Sequence, residues 1–365
     1  MSALAPPRTY NLGKGVYMID VHDLQMPYRT GVYVLPEAGV LIDTGPSSGI
    51  PFLLEGLKQL HIAPDAISAI VLTHIHLDHA GGVGLLLKDI PHAKVIVHPR
   101  GAWHLAHPEK LIAGAKAVYK EAFETFFHPI LPVPEERIIT PADGEIITFA
   151  NHNAFKFLDT PGHARHHLAI FHPQTADVFT GDTVGILYQG VLEASFVHHT
   201  EKHDPDGVHP HPLTSLFDWP FVLPSTSPNQ FDGPAMRESW RRIRLLNPKR
   251  LLFGHFGATE HVDEALQSAA QGLDLYEKTL QDYVSPFLSH AATDYPLSLT
   301  DEHIKQLATL LKERIQGTYL KDILKHISST TTLDDTLFFH MLTLDLTLNA
   351  YGLLDAALKQ MGEPT

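Results

Sequence analysis

The sequence predicts an α/β protein of the α+β kind, with two packed sheets, helices outside them and a helical C-terminal domain. Strand-rich sequence occurs twice, on either side of a helical stretch, without the long βαβ alternation of a single doubly wound sheet. From about residue 259 to 359 the chain then reads as helix. Its 365 residues leave room for two domains, and the 44% hydrophobic content supplies a core that needs no disulfides. The boundary is placed between residues 258 and 259.

The first strand-rich block holds short β-prone runs at 16–20, 32–35 and 40–43. Ser47 and Ser48 are placed to cap a helix reaching His61, with Leu53, Leu54, Leu57 and Leu60 on one stripe. Residues 67–72 are apolar apart from Ser68, as in a strand buried on both faces. A helix begins near Gly82, a short strand covers 94–98, and 101–127 is mostly helical. The second block has strands at 137–140, 145–149, 155–159, 167–171 and 177–180. Residues 185–234 carry seven prolines and little periodicity, the pattern of a long loop inserted as a lid. A helix at 234–246 and a strand at 250–253 follow. The C-terminal stripes, such as Leu337, Met341, Leu344 and Leu348, read as packing faces, and a leftover apolar face there can form a homodimer interface.

Acidic residues outnumber basic ones 41 to 27, giving a formal charge of −14 that repels a phosphate backbone. The most basic stretch, 237–250, is the wet side of an amphipathic helix, so no nucleic-acid partner is expected. The absence of cysteine excludes disulfides, thiolate ligands and a thiol nucleophile. The first ten residues lack a signal-peptide core and no run reaches the roughly 18 apolar residues of a membrane span. A cytoplasmic location without a membrane partner is therefore expected. The 26 histidines make the net charge depend on pH and invite a metal-binding reading, which spacing can test.

Residues 73–82 read Thr-His-Ile-His-Leu-Asp-His-Ala-Gly-Gly directly after the buried strand. His74, His76, Asp78 and His79 stand at offsets of two, two and one, which do not fit one helical face. They fit a tight loop at a strand end that feeds two adjacent metal positions. Three later strands run into the same kind of residue: Thr-Pro-Gly-His163, Phe-Thr-Gly-Asp182 and Leu-Phe-Gly-His255. A chance cluster of polar loop residues does not account for ligand types at four strand ends.

This order of motifs, together with Leu-Ile-Asp43-Thr-Gly45, resembles the metallo-β-lactamase superfamily over residues 10–257. The resemblance implies an αββα sandwich with a metal site at one edge. It implies that His74, His76 and His163 hold one metal, that Asp78, His79 and His255 hold a second, and that Asp182 bridges them. Asp43 matches a position that orients a ligand or the loop. The two divalent ions are taken as zinc by default, with iron and manganese equally suited to imidazole and carboxylate ligands. The chemistry implied is attack by a hydroxide held between the metals on the carbonyl of a small acyl substrate, an ester, thioester or lactone, with Asp78 and Asp182 in catalytic roles.

Departures narrow the resemblance. β-Lactamases with a cysteine ligand are excluded, and flavodiiron proteins usually have glutamate where this chain has His76. Asp182 matches the carboxylate of glyoxalase II-like thioesterases, lactonases and phosphodiesterases. Glutathione specificity needs a cationic cradle that the sequence does not reveal. A persulfide dioxygenase with one iron, and a binding or signalling protein with slow turnover, are the competing readings.

Weaker signals stay open between two accounts. Tyr188 can donate to a developing oxyanion, as a third catalytic residue, or pack its ring beside the site. Trp219, Phe221 and Phe231 can line an acyl pocket or pin the loop to the core. His198, His199, His203, His209 and His211 belong to the lid or to an exposed loop. Arg165 either meets a substrate carboxylate or is an ordinary surface residue.

Overall fold

The computed structural model describes residues 8–196, 208–210, 220–289, 300–320 and 336–361. Its first sheet uses β1 (Thr9–Asn11), β2 (Tyr17–Asp20), β3 (Gly31–Leu35), β4 (Val40–Ile42), β5 (Ala69–Val71), β6 (Lys94–Ile96) and β7 (Ile138–Ile139). The second uses β8 (Ile146–Thr148), β9 (Ala154–Asp159), β10 (Leu168–His172) and β11 (Asp177–Gly181). Four later strands are β12 (Ile186–Leu187), β13 (Val208–Pro210), β14 (Val222–Leu223) and β15 (Arg250–Phe253), and β16 (Gly257–Thr259) is last. Sheet one has the order β13-β1-β2-β3-β4-β5-β6-β7, sheet two the order β16-β15-β11-β10-β9-β8, and β12 pairs with β14.

The helices are α1 (Ile50–Gln59), α2 (Leu77–Ala80), α3 (Val83–Leu86), α4 (Pro99–Ala106), α5 (Glu109–Tyr119), α6 (Ala122–Phe126), α7 (Gln189–Phe196), α8 (Gly233–Arg244), α9 (Val262–Ser289), α10 (Asp301–Ile315) and α11 (Leu337–Met361). The two sheets face each other through Tyr33, Ile42 and Val71 on one side and Phe157, Ile170 and Phe179 on the other. The outer face of sheet one is covered by Ile50, Leu53 and Leu57 of α1. That of sheet two is covered by Met236, Trp240 and Ile243 of α8, at helical spacing. The result is a four-layer αββα sandwich. The helices α9, α10 and α11 form a further core with α7, Tyr188, Phe221 and Leu223.

Two local expectations change. Ser47 and Ser48 do not cap α1; Ser47 Oγ donates to the carbonyls of Gly81 and Pro129, and Ser48 Oγ to that of Phe126. Their hydroxyls tie neighbouring loops together, and α1 begins instead with proline in its first turn. The 185–234 segment is not one loop: α7, β12, β13 and β14 lie within it, and Ile186 pairs with Leu223. His198, His199, His203, His211 and Trp219 lie outside the described residues, and His209 sits on β13 opposite Tyr10. By length and composition α11 could cross a membrane, but most of its apolar stretch is buried, as in a core helix. Polar Asp345, Asn349 and Asp355 are buried with it.

Arg250 and Asp177 are direct partners on the parallel strands β15 and β11. The buried guanidinium grips both carboxylate oxygens, Nε at 2.8 Å and an Nη at 2.6 Å, and also donates to the Leu12 carbonyl. It thus links sheet two to the turn after β1. Removing one partner of such a pair strands the other charge in the interior. Arg250→Ala is expected to lose about 3–5 kcal/mol of stability, read from urea unfolding; a loss below about 1 kcal/mol would show that the pair is already solvated.

Candidate metal centre

Strand direction explains where the chemistry collects. β4 and β5 run parallel, as do β11 and β15, and β9 runs the same way as β11 through the antiparallel β10. Asp43, the 73–79 loop, His163, Asp182 and His255 therefore all leave C-terminal strand ends on one edge of the sandwich. The 73–79 stretch is a loop only as far as His76, the residue before the one-turn helix α2. Asp78 and His79 are neighbours on that turn, so their side chains diverge.

The structure brings the predicted ligands together. Three groups, His74/His76/His163, His74/His79/Asp182 and Asp78/His79/His255, each hold their ligand atoms within 4.8 Å. His76 Nδ1 lies 3.0 Å from His74 Nε2 and 2.9 Å from His163 Nε2. His255 Nε2 lies 3.3 Å from both His79 Nε2 and Asp78 Oδ2. Asp182 spans the groups, with Oδ1 at 3.1 Å from His79 Nε2 and Oδ2 at 3.5 Å from His163 Nε2. His74 and His79 are fully buried, while His76 and Asp78 are partly open to a cleft.

The outer nitrogens are already committed, which aims the inner ones. His163 Nδ1 donates to the Ser225 carbonyl and His255 Nδ1 to that of Arg29, both at 2.9 Å. His79 Nδ1 donates to Asp43 Oδ2 at 2.9 Å. Thr73 Oγ1 gives its proton to Asp43, 2.8 Å away, so it can only accept from His74 Nδ1. In its neutral form each of these four imidazoles turns an Nε2 lone pair inward. Lone pairs facing at these distances repel unless a cation lies between them. Tetrahedral ligands 2.0–2.1 Å from a metal sit roughly 3.3 Å apart, so the spacing suits one. Asp182 Oδ1 is buried without a hydrogen-bond partner, as a metal-facing oxygen would be. The donor set fits divalent cations.

The electrostatics agree. Burial holds His74 well below its ordinary value and pushes His76 down to about 3, which keeps both neutral and able to ligate. Burial also opposes charge on His79, but the Asp182 and Asp78 carboxylates outweigh it and raise His79 well above the usual value, so a bound cation would displace a proton there. Burial likewise disfavours ionised Asp182, and His255, His79 and His163 together hold it well below the carboxylate range. This concentration of negative charge is what a cation would meet.

Sequence reasoning missed several supports. His167 looked like an ordinary strand start, yet its Nε2 accepts from the Asp182 backbone N–H at 3.1 Å, with Nδ1 2.9 Å from Thr160 Oγ1. Arg29 is buried between Asp23 and Asp345, at 3.0 and 2.8 Å. Nothing local marks Arg29, since Asp345 lies 316 residues away. Tyr188 is corrected as an oxyanion donor: its hydroxyl donates to Asp345 Oδ2 at 2.7 Å and its ring is buried in the C-terminal core. Phe221 packs there as well, pinning its segment, and Phe231 packs partly against the same core. Arg165 is exposed and does not line the cleft.

A family model described as the metallo-beta-lactamase superfamily matches residues 29–255. The chain is 28% identical over 252 residues to a metallo-beta-lactamase fold-containing protein of Sulfurisphaera tokodaii, covering 67% of this chain and 79% of that one. It is 28% identical over 166 residues to a hydroxyacylglutathione hydrolase of Serratia proteamaculans, covering 43% and 49% of the two chains. A metallo-beta-lactamase family protein from Thermus thermophilus shares the fold, with TM-score 0.56, 19% identity and coverage of 96% and 95%.

Asp43 supports both His79 and, through Thr73, the loop that carries the candidate ligands. Asp43→Asn keeps the shape but loses the charge, and should weaken metal binding about 10–100-fold in chelator competition. Unaltered affinity would show that the carboxylate does not tune His79.

Proposed function

The chain belongs to the metallo-beta-lactamase superfamily, whose members are mostly hydrolases, and we propose that it hydrolyses an acyl ester, thioester or lactone with two metal ions. The observation that carries this reading is Asp182, whose two oxygens face different ligand groups while Oδ1 lacks any hydrogen-bond partner. His74, His76 and His163 would hold one ion, and Asp78, His79 and His255 the other. When bound, such ions supply an activated water at neutral pH and polarise the acyl carbonyl.

The chain's own residues then position the reactants. Asp78 is partly open to the cleft and kept ionised by His79 and His255 despite its burial, so its carboxylate can orient the attacking water. Ser225 Oγ donates to Asp182 Oδ2 at 3.2 Å, which fixes the carboxylate between the two groups. The similarity to a hydroxyacylglutathione hydrolase supports thioester chemistry. Glutathione itself fits less well, because of the two basic residues lining the cleft, Arg29 is already neutralised by two carboxylates and Lys110 stands at the outer end of α5.

Metal-loaded protein should hold two equivalents per chain by elemental analysis and turn over at least one class among aryl esters, thioesters and lactones. Asp182→Ala should lose at least one equivalent and nearly all turnover, whereas His61→Ala, at an exposed residue outside the centre, should change neither. Full occupancy without turnover on any class would overturn the reading, as would one iron with oxygen uptake on a persulfide.

A further inference from the structure

Helix α5 carries an apolar stripe, Leu111, Ala115 and Val118, at the spacing of a helix that packs on a core. Yet none of its residues is fully buried. Leu111 and Ala115 pack in part beside Leu77, Phe123 and Phe127. The same stripe lines one wall of the cleft that reaches His76 and Asp78. Leu348 of α11 and Ile186 also line it. Val118 and Leu348 are half-buried and join none of the hydrophobic clusters formed by the described residues. Part of their surface is left for whatever fills the cleft. Gly114 lies on the same face, and a Cβ added there would meet nothing within 4 Å.

We propose that this cleft takes the aliphatic acyl chain of the substrate and that α5 limits its length. The inference rests on the hydrolase reading above. The stripe residues and Leu348 are aliphatic, and the volume of about 300 Å3 is at the small end of ligand pockets. A carbonyl at the ligands can therefore run a chain of medium length beside Val118 and Leu348. A charged acyl tail would lose its hydration beside Val118 and Leu348, whose side chains offer it no partner. The polar residues Ser225, Thr226, Ser227, Asn229 and Gln230 line another part of the cleft.

The test uses the full metal-loaded chain and 4-nitrophenyl esters from acetyl to decanoyl. For the parent protein kcat/KM should rise about fourfold per methylene until the cleft is full. In Gly114→Leu the added side chain occupies that space, and the octanoyl-to-acetyl ratio of kcat/KM should fall at least about tenfold. Leucine is the better helix former, so α5 should keep its structure and the melting temperature should not drop. A readout free of turnover is calorimetric binding of octanoate against acetate, with the preference for octanoate reduced in Gly114→Leu. A flat chain-length series, or the same ratio in both proteins, overturns the inference while leaving the hydrolase reading intact. If no substrate turns over but octanoate binding is selective and lost in Gly114→Leu, the hydrolase reading fails and the chain-binding cleft stands.

Discussion

Burying two carboxylates and five imidazoles at one edge of a sandwich is costly unless each polar atom has a partner. Much of the rest of the fold serves that constraint. Nδ1 of His79, His163 and His255 is satisfied from outside the cluster, by Asp43 and by the backbone of Ser225 and Arg29, and Thr73 serves His74 in the same way. What remains facing inward is a set of imidazole nitrogens and one carboxylate oxygen without a hydrogen-bond partner, which a cation would satisfy. Close packing enforces the arrangement. A Cβ on Gly254, just before His255, would come within 2.4 Å of the His79 ring, so the backbone approaches as nearly as glycine allows.

The C-terminal helices do more than cover the sandwich. Asp345 on α11 binds both Tyr188 and Arg29, and the Arg29 carbonyl accepts from His255. Asn349, one turn further on, receives the Thr226 N–H and contacts its hydroxyl in the segment that also holds Ser225. One helix therefore fixes the backbone behind His163 and His255 and lines the cleft with Leu348. The cleft wall and the backbone behind His163 and His255 are mechanically joined there. Variation in α11 can alter the cleft only within limits set by those hydrogen bonds.

The candidate ligand set was legible because its residues cluster by type at strand ends, where short-range pattern and chemistry coincide. His74, His76, Asp78 and His79 lie within six residues of chain, and His163, Asp182 and His255 each follow a recognisable strand. Tyr188 shows the limit of that reasoning. It lies six residues after Asp182, but its ring turns into the C-terminal core and its proton goes to Asp345. The long proline-rich segment misled in the same way: Ile186–Leu187 and Val222–Leu223 are each two residues long and become strands only by pairing with each other. Runs that short carry no readable period.

By itself the sequence determined the two-sheet architecture, the helical C-terminus and the residues able to hold metal, because hydrophobic period and ligand spacing are local properties of the chain. Only the tertiary structure decided which nitrogen each histidine presents, that Arg29 is spent on Asp23 and Asp345, and that the stripe of α5 lines a cleft as well as packing beside Phe123 and Phe127. Those outcomes depend on contacts between segments as much as 316 residues apart, and no local pattern encodes such distances.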